Sequence, residues 1–223
     1  MPKLELVIGN KNYSSWSMRP WITLRESGIA FDEIRFSLFT DDWRARIGGY
    51  SPSGKVPVLR IDGKPVWDSL AILETLAELY PDKCLLPADA AARAQARSVC
   101  AEMHSGFQAL RSAMPMNIRG SYPGKGHTPE VNRDIERIGT IWMQCRSRFG
   151  GGGDLLFGHF TIADAMYAPV VMRFKTYAVT LPAAAQAYCD AVERLTSVRQ
   201  WCAEARGETE VIAEDEPYAS EKH

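Results

Sequence analysis

The sequence lacks the features that mark several large classes of protein. Its 223 residues carry 26 basic and 27 acidic side chains, so a formal charge of −1 offers no attraction to nucleic acid or to an anionic membrane. No stretch approaches the roughly 20 apolar residues of a membrane span. The N-terminal residues lack the apolar region of a signal peptide, so we expect a cytoplasmic protein. What remains is a globular chain of one large or two small domains.

The chain also lacks any pattern typical of a metal site or a disulfide framework. Five cysteines form no C-x-x-C pair and have no metal-like spacing, so we predict no metal and expect small buried apolar side chains. The glycine run at residues 150–153 has no following Lys-Ser/Thr, so it does not predict a phosphate-binding loop. The cysteines are Cys84, Cys100, Cys145, Cys189 and Cys202.

Residues 1–80 alternate between strand-like and helix-like segments. Strands are predicted at 4–8, 31–38, 56–59 and 64–67, and helices at 16–27 and 69–80. Asp62-Gly63, between the last two strands, is a strong hairpin signal. Two strands joined by a helix should lie parallel, and the hairpin should add two antiparallel strands beside them. This order predicts a thioredoxin-like α/β domain.

Residues 81–89 contain two prolines and no periodicity, which predicts a linker to a second domain at 90–223. There the pattern is helical throughout. Thr128-Pro129 starts a long helix, and Thr161 to Asp164 form a capping box before an apolar run. The polar, acidic last fifteen or so residues should lie on the surface or fray. Helices are predicted at 90–114, 129–149, 181–195 and 197–206, with a further one after residue 161.

Three short segments carry candidate binding groups, and the first is residues 13–19, Tyr-Ser-Ser-Trp-Ser-Met-Arg. It lies where the first strand leads into the first helix. The N-terminus of a helix attracts anions, and a serine hydroxyl there can donate a hydrogen bond to one. Serine is also a favoured N-cap, so capping alone explains one of these serines.

The other two segments begin the third strand and the helix at 69–80. A cis Val56-Pro57 bond would leave the Val56 backbone groups free to pair with an extended peptide, although a trans bond is far more frequent. Ser69 suits either a helix cap or a ligand carboxylate, and Asp68 suits a ligand amine. Together the three segments fit a short zwitterionic peptide that carries a thiol.

These segments resemble motifs of the glutathione S-transferases, and within them the zeta class, whose members include maleylacetoacetate isomerases. The zeta motif Ser-Ser-Cys-Ser-x-Arg corresponds to residues 14–19, Val-Pro to 56–57, and (Gln/Glu)-Ser-x-Ala-Ile to 68–72. The capping box at 161–164 and Arg-Phe-Lys at 173–175 match as well. The resemblance covers residues 4–205. It implies the glutathione transferase fold and a homodimer, with the helix after Ser69 and the long helices after residue 90 at the interface.

The resemblance also implies a role for each matched residue. Ser14 would donate a hydrogen bond to the glutathione sulfur, with Ser15 and Ser17 as alternates. Favouring the charged form lowers the pKa of a thiol from about 8.5. The thiolate then attacks an electrophilic carbon or adds reversibly to a double bond. Glutathione itself, the co-substrate, would be held by Ser15, Lys55, Val56, Pro57, Asp68 and Ser69.

Three residues are candidates for the second substrate, a small electrophile. By the resemblance, Arg173 would bind a substrate carboxylate, and an ion pair with another helix is its alternative. His104 and Arg111 lie on the predicted helix 90–114 and are candidates for the electrophile pocket. A buried core histidine is the simpler interpretation of His104. Arg111 could face the ligand or the solvent equally.

Two departures from the zeta pattern weaken the prediction of a plain isomerase. Trp16 replaces the zeta cysteine and should narrow the cleft or rotate into the core. Residues 41–49, with Trp43 and two arginines, extend the segment before Ser51 and could cover the glutathione site. We therefore predict a glutathione transferase. The alternatives are a glutathione-dependent cis–trans isomerase of a maleylacetoacetate-like dicarboxylate and a non-enzymatic ligand-binding protein of the same fold.

Overall fold

The computed structural model describes residues 2–219, and its N-terminal part is built on a four-stranded sheet. Strand β1 pairs in parallel with β2, and β3 runs antiparallel to both β1 and β4. Asp62 and Gly63 join β3 to β4 with φ of 48° and 81°, as the hairpin signal predicts. The thioredoxin-like topology is confirmed. The spatial order is β2-β1-β3-β4, with β1 at Leu4–Ile8, β2 at Asp32–Arg35, β3 at Val58–Ile61 and β4 at Lys64–Val66.

Three helices accompany this sheet. Helix α1 (Ser15–Glu26) follows β1, α2 (Asp41–Arg46) follows β2, and α3 (Ser69–Leu79) follows β4. Helix α1 packs on α3 on one side and on helices of the C-terminal part on the other. The rings of Trp21 in α1 and Trp201 lie 5.2 Å apart, edge to face, within one continuous apolar core. The N-terminus of α1 therefore lies between the two parts of the molecule.

The C-terminal part is helical, as predicted. Helix α7 is buried along most of its length, and the capping box at its start is formed as expected between Thr161 and Asp164. The Thr128 side chain accepts the Val131 N–H at the start of α6. The helices are α4 (Ala90–Ser105), α5 (Gln108–Ala113), α6 (Pro129–Phe149), α7 (Ile162–Thr176), α8 (Ala183–Arg194) and α9 (Thr196–Arg206).

Several predicted boundaries were wrong. The helix predicted at 90–114 is divided into α4 and α5, because the chain turns at Gly106 and Phe107. A side chain at Gly106 would come within 2.8 Å of the Glu102 carbonyl oxygen, and Phe107 has a φ of 58°. The second strand is shorter than predicted and the third begins at Val58. Residues 41–46 form a helix that was not predicted.

The chain after α9 returns across the N-terminal part, and we call residues 208–219 the C-terminal strap. The Glu208 carboxylate accepts the backbone N–H groups of Lys11 and Asn12, at 2.7 and 2.9 Å. Glu216 accepts the Tyr13 hydroxyl at 2.5 Å, and the Tyr218 hydroxyl donates to a carbonyl of α5. Through residue 219 the strap therefore lies on the surface, one of the two alternatives predicted for the last fifteen or so residues, and residues 220–223 lie outside the described residues.

Candidate active site

Two adjoining cavities lie between the sheet and the helices. The first cavity has a volume of about 540 Å³ and includes Ser14, Ser15 and Arg173 in its wall. The second cavity, of about 490 Å³, includes Asp68 and Ser69. Trp16, Ser53, Lys55, Val56 and Arg111 line both. The two cavities therefore form one continuous cleft that passes the N-terminus of α1.

Ser14 and Ser15 lie at the start of α1 because the chain leaves β1 and turns directly into that helix. Ser14 is the N-cap: its Oγ accepts the Ser17 N–H at 3.4 Å and donates to the Ser17 Oγ at 2.8 Å. The Ser15 Oγ accepts a hydrogen bond from the Arg173 Nη2 at 3.3 Å. Ser17 is fully buried and accepts the Gly9 N–H, and it does not line either cavity. Ser14 and Ser15 are thus the serines that face the cleft.

A group of arginines surrounds this helix start. Arg19 and Arg173 are buried, at 1% and 4% exposure. Burial and the charges of neighbouring arginines lower the pKa of Arg19 to about 9. Burial and the charge of Arg111 lower the pKa of Arg173 to about 10. Both guanidinium groups therefore remain charged at neutral pH. They favour an anion at Ser14 and Ser15, beside the positive end of the α1 dipole.

The segment before β3 lies along both cavities. The Val56-Pro57 peptide bond is cis. Within residues 2–219 neither the N–H nor the carbonyl oxygen of Val56 has a hydrogen-bond partner. Lys55 is exposed, and none of the described carboxylates forms an ion pair with it. The segment therefore presents free backbone groups and one cation to the cleft.

Asp68 and Ser69 form the end of the second cavity. Asp68, not Ser69, is the N-cap of α3, since its carboxylate accepts the Leu70 N–H. The Ser69 hydroxyl is buried and lacks a hydrogen-bond partner in the part of the chain that the structure describes. His104 of α4 lies 3.1 Å from the Asp68 carboxylate, which places His104 on the second cavity rather than the first. Because this hydroxyl also lines the cavity, a ligand there can supply the hydrogen-bond partner that it lacks.

Trp16 lies between the two cavities. Its ring is 4.2 Å from the Arg19 guanidinium and 4.3 Å from the Arg111 guanidinium. The His104 ring meets it edge to face, with centroids 5.3 Å apart. The large ring does not rotate into the core, since it remains partly exposed and lines the cleft. Of the two positions expected for Trp16, the structure shows the ring in the cleft.

Trp43 lies in the first cavity, in keeping with the expectation that residues 41–49 could cover the glutathione site, whereas Phe39 and Asp215 were not predicted to lie there. Phe39 and Trp43, from the loop before α2 and from α2 itself, pack edge to face at 5.5 Å and line the cavity. Asp215 enters from the strap. Burial raises the pKa of Asp215 to about 6, although the charge of Arg173 opposes this shift. Thr40, whose hydroxyl caps α2 ahead of two acidic residues, is the sequence signal that could have revealed that helix.

The structure thus brings the serines, the Val56 segment and Asp68-Ser69 to one cleft. Within residues 2–219 no group of three His, Cys, Asp or Glu side chains is placed to hold a metal ion. None of the helices described is long and apolar enough to cross a membrane.

Comparison with known proteins identifies the family. Residues 13–79 match the family model for the glutathione S-transferase N-terminal domain, and residues 128–204 match that for the C-terminal domain. The chain belongs to the glutathione S-transferase family. Among the curated relatives of this transferase are proteins named maleylacetoacetate isomerase, which is the subgroup that its motifs resemble. The predicted family is confirmed.

The relatives and solved structures cover most of the transferase. The Rattus norvegicus maleylacetoacetate isomerase is 36% identical over 75% of this chain and 77% of its own length. The Pseudomonas aeruginosa maleylacetoacetate isomerase is 32% identical over 76% and 82%. A Burkholderia glutathione transferase homologue, solved with bound glutathione, superposes with a TM-score of 0.70 at 23% identity, covering 93% of this chain and 100% of that one. The glutathione transferase fold is therefore confirmed.

Proposed function

We propose that this transferase binds glutathione along its two cavities and uses Ser14 to activate the thiol for attack on a small electrophile. The observation that supports this most is the alignment of three sets of groups on one cleft. Ser14 and Ser15 face it at the start of α1, the Val56 backbone groups are unpaired, and the Ser69 hydroxyl is buried without a partner in the described chain.

Each matched residue would bind a different part of glutathione. The Val56 backbone pairs with the cysteinyl unit, beside Pro57, because its N–H and carbonyl oxygen face an open cleft. Ser69 binds the γ-glutamyl carboxylate at the N-terminus of α3, and Asp68 binds the amine. Lys55 binds the glycyl carboxylate. The thiol then lies at the first cavity, where the second substrate enters.

Ser14 activates the thiol by favouring its charged form. A hydroxyl that donates to the sulfur, with the α1 N-terminus and the charges of Arg19 and Arg173 nearby, lowers the thiol pKa. For this, Ser14 turns its proton from the Ser17 Oγ to the sulfur. The thiolate forms a bond to the electrophilic carbon, and the leaving group departs with the electron pair of the bond that breaks. Ser15, which also lines the cleft, remains the alternate for this role, whereas the buried Ser17 lines neither cavity and supports Ser14 instead.

Serine variants test the proposal. Glutathione affinity is measured by calorimetry, and conjugation of 1-chloro-2,4-dinitrobenzene is measured by absorbance. We expect Ser14→Ala to lower kcat by about 100-fold, the usual cost of one positioned donor, and to leave glutathione Kd nearly unchanged. Full activity of Ser14→Ala, together with loss of activity in Ser15→Ala or Ser17→Ala, would contradict the assignment to Ser14. Absence of glutathione binding by the unmodified protein would support a non-enzymatic ligand-binding role instead.

Glutathione-dependent cis–trans isomerisation of a maleylacetoacetate-like dicarboxylate is the second candidate. The names of the relatives favour it, and the arginines of the first cavity suit an anionic substrate. Trp16, in place of the zeta cysteine, counts against it. Maleylacetone isomerisation, measured for the unmodified protein and for Trp16→Cys, distinguishes the isomerase from the transferase. Isomerisation that exceeds conjugation in the unmodified protein supports the isomerase, and isomerisation seen only in Trp16→Cys supports the transferase.

We further propose that the protein is a cytoplasmic homodimer. Large apolar side chains, each more than 40% exposed, occur at Trp67, at Leu79 in α3 and at Met143 in α6. All five cysteines are free, as a reducing compartment requires. Sedimentation equilibrium should give twice the mass of one chain, and a single-chain mass would contradict the dimer.

A further inference from the structure

The two arginines that line the first cavity differ in how many of their N–H donors already form hydrogen bonds within the protein. Arg173 has three nitrogens committed to the protein: Nε donates to the Met114 carbonyl at 2.9 Å, Nη1 to the Pro169 carbonyl at 3.3 Å, and Nη2 to the Ser15 Oγ. It is 4% exposed. A guanidinium held in this way is fixed against the serines, and three of its five N–H donors are already used.

Arg111 is held loosely by comparison. It is half-buried, and its hydrogen bond is a long one, from Nη1 to the His104 carbonyl at 3.5 Å. Its guanidinium lies against the Trp16 ring. Among the described residues no carboxylate lies within ion-pair distance of Arg111. Most of its fork of donors is therefore available to a carboxylate in the cleft.

Asp215 restricts how much negative charge the first cavity accepts. It lines that cavity from the strap, and no described cation forms an ion pair with it, although it interacts electrostatically with Arg173. A ligand carboxylate placed near Arg173 would meet this negative charge. Since like charges at short range disfavour binding, the cavity favours an anion at the Arg111 side.

Apolar and largely aromatic side chains form much of the remaining wall of the first cavity, beside the polar side chains of Ser53, Lys55 and Gln108, of which Lys55 is assigned to the glycyl carboxylate of glutathione. Trp16, Phe39 and Trp43 line the cavity together with Met116. Phe39 is 52% exposed, which is unusual for so large an apolar side chain, and its ring lies against Trp43. Flat apolar walls of this kind bury a planar ligand better than an extended polar one.

We propose that Arg111, and not Arg173, selects the second substrate, which is a planar apolar electrophile with a single carboxylate. Arg173 instead positions Ser15 beside the thiol. This inference rests on the proposed function, since it concerns the substrate that the glutathione thiolate attacks. It replaces the dicarboxylate expected from the family resemblance with a monoanion, because Asp215 lines the same cavity and places a negative charge near Arg173.

Two substrates that differ only in the charge of one group, a carboxylic acid and its methyl ester, test the role of Arg111. The ring that reacts with the thiolate is the same in both. In 4-chloro-3,5-dinitrobenzoate the sulfur bonds to the ring carbon that carries chlorine, and chloride leaves with the bonding electrons. Its methyl ester reacts in the same way without the charge. At pH 7.5, with each rate divided by its uncatalysed rate, we expect kcat/KM to favour the acid by about 10- to 100-fold, the value of one charge-assisted interaction.

Arginine variants assign that preference to one residue. Arg111→Gln should remove the preference for the acid, mainly through KM, and Arg111→Lys should keep part of it. Arg173→Gln should lower kcat for acid and ester by the same factor. Arg133→Gln, a variant of an exposed arginine on α6, is the matched control and should change neither. Thermal unfolding and glutathione binding confirm that each variant is folded.

A third probe tests whether the first cavity favours a substrate with one carboxylate over a substrate with two. With 4-chloro-5-nitrophthalate, which carries two carboxylates, we expect a normalised kcat/KM at least tenfold below that of the monoacid, and Asp215→Asn should narrow this difference. The inference is overturned if Arg111→Gln retains the preference for the acid, if Arg173→Gln alone removes it, or if the phthalate reacts as well as the monoacid. In each case intact glutathione binding and ester turnover leave the proposed function standing. Loss of both in the unmodified protein overturns both proposals.

Discussion

The second cavity takes most of its wall from two short stretches of the chain, with Trp16, His104 and Arg111 added from the helices, whereas the first cavity is assembled from more parts of the chain. Asp68, Ser69 and the Val56 segment come from two short stretches at the edge of one sheet. The first cavity combines the start of α1 with Trp43 of α2, Arg111 of α5, Arg173 of α7 and Asp215 of the strap. The part suited to a constant peptide is thus encoded locally, and the part that faces a variable electrophile depends on tertiary packing.

The two cavities differ in charge as well. In the second cavity the Asp68 carboxylate has a histidine partner, and the only guanidinium is that of Arg111, which with Lys55 lines both cavities, whereas Arg173 lines the first cavity alone among the described residues. In the first cavity the guanidinium groups of Arg111 and Arg173 have no carboxylate in ion-pair contact among the residues described. The first cavity therefore provides the field that stabilises a thiolate and attracts an anionic substrate.

Ser69→Ala should give the largest difference between an effect on glutathione binding at the second cavity and an effect on catalysis at the first. We expect glutathione Kd to rise by about 10- to 100-fold, the value of a hydrogen bond to a charged group, with kcat at saturating glutathione unchanged. The stability of the free protein should not fall, because the buried hydroxyl has no partner to lose within the described chain. Calorimetry and urea unfolding measure the two effects.

The matched control is Ser98→Ala, on the exposed face of α4, whose hydroxyl donates to the Ala94 carbonyl. It should leave glutathione affinity unchanged. If Ser69→Ala instead destabilises the free protein and binds glutathione normally, the Ser69 hydroxyl is structural, and the contrast between the cavities is lost.

Glu208→Ala should release the strap and alter the first cavity alone. The Lys11 and Asn12 N–H groups are buried and would lose their acceptor, and Arg35 would lose an ion pair. We expect a cost of about 1–2 kcal/mol in the free energy of unfolding and faster hydrogen exchange in residues 209–219. Glutathione Kd should remain unchanged.

Glu214→Ala is the control, since Glu214 is exposed on the strap and makes no described hydrogen bond or ion pair. A glutathione Kd that shifts as much as the stability in Glu208→Ala would show that the strap supports both cavities equally.

The smallest expected effect is a pH dependence of substrate preference. Asp215 has a pKa raised to about 6, chiefly by burial and also by Glu214 and Glu216, with Arg173 opposing the shift. Above pH 6 it is charged and repels an anionic substrate, and below pH 6 it becomes neutral. The acid-to-ester ratio of kcat/KM should therefore rise about two- to fivefold as the pH falls from 7.5 to 5.5. The thiolate fraction affects both substrates equally and cancels in the ratio.

Asp215→Asn should make this ratio independent of pH. A fall of the ratio on acidification, or the same pH dependence in Asp215→Asn, would show that Asp215 does not control the charge of the first cavity.

The difference between the cavities also explains how much was predictable. The topology of the sheet follows from local signals such as Asp62-Gly63, and the start of α7 follows from its capping box. The residues of the second cavity form short motifs for the same reason. Phe39 and Asp215 had no such signal, because they reach the first cavity only through the packing of the loop before α2 and of the strap. For Trp43 the sequence indicated only that residues 41–49 could cover the site. The position of Trp16 was left open by the sequence, since contacts with Arg111 and His104 from the C-terminal part decide it.

Sequence also could not separate the roles of the two arginines. Arg173 matches a family motif and Arg111 does not, yet the structure commits Arg173 to Met114, Pro169 and Ser15. Hydrogen bonds between elements far apart in the chain decide which arginine can bind a substrate carboxylate. The spacing of residues in the sequence does not reveal these hydrogen bonds.

The measurement that tests the central claim most directly is an ultraviolet difference titration of bound glutathione in the unmodified protein and in Ser14→Ala. Thiolate absorbance followed against pH reports the pKa of the bound thiol. The account predicts a pKa at least about one unit below the free value near 8.5 in the unmodified protein, and a return toward that value in Ser14→Ala. Bound glutathione that shows no thiolate near neutral pH would contradict thiol activation and leave a ligand-binding protein with the fold of a transferase.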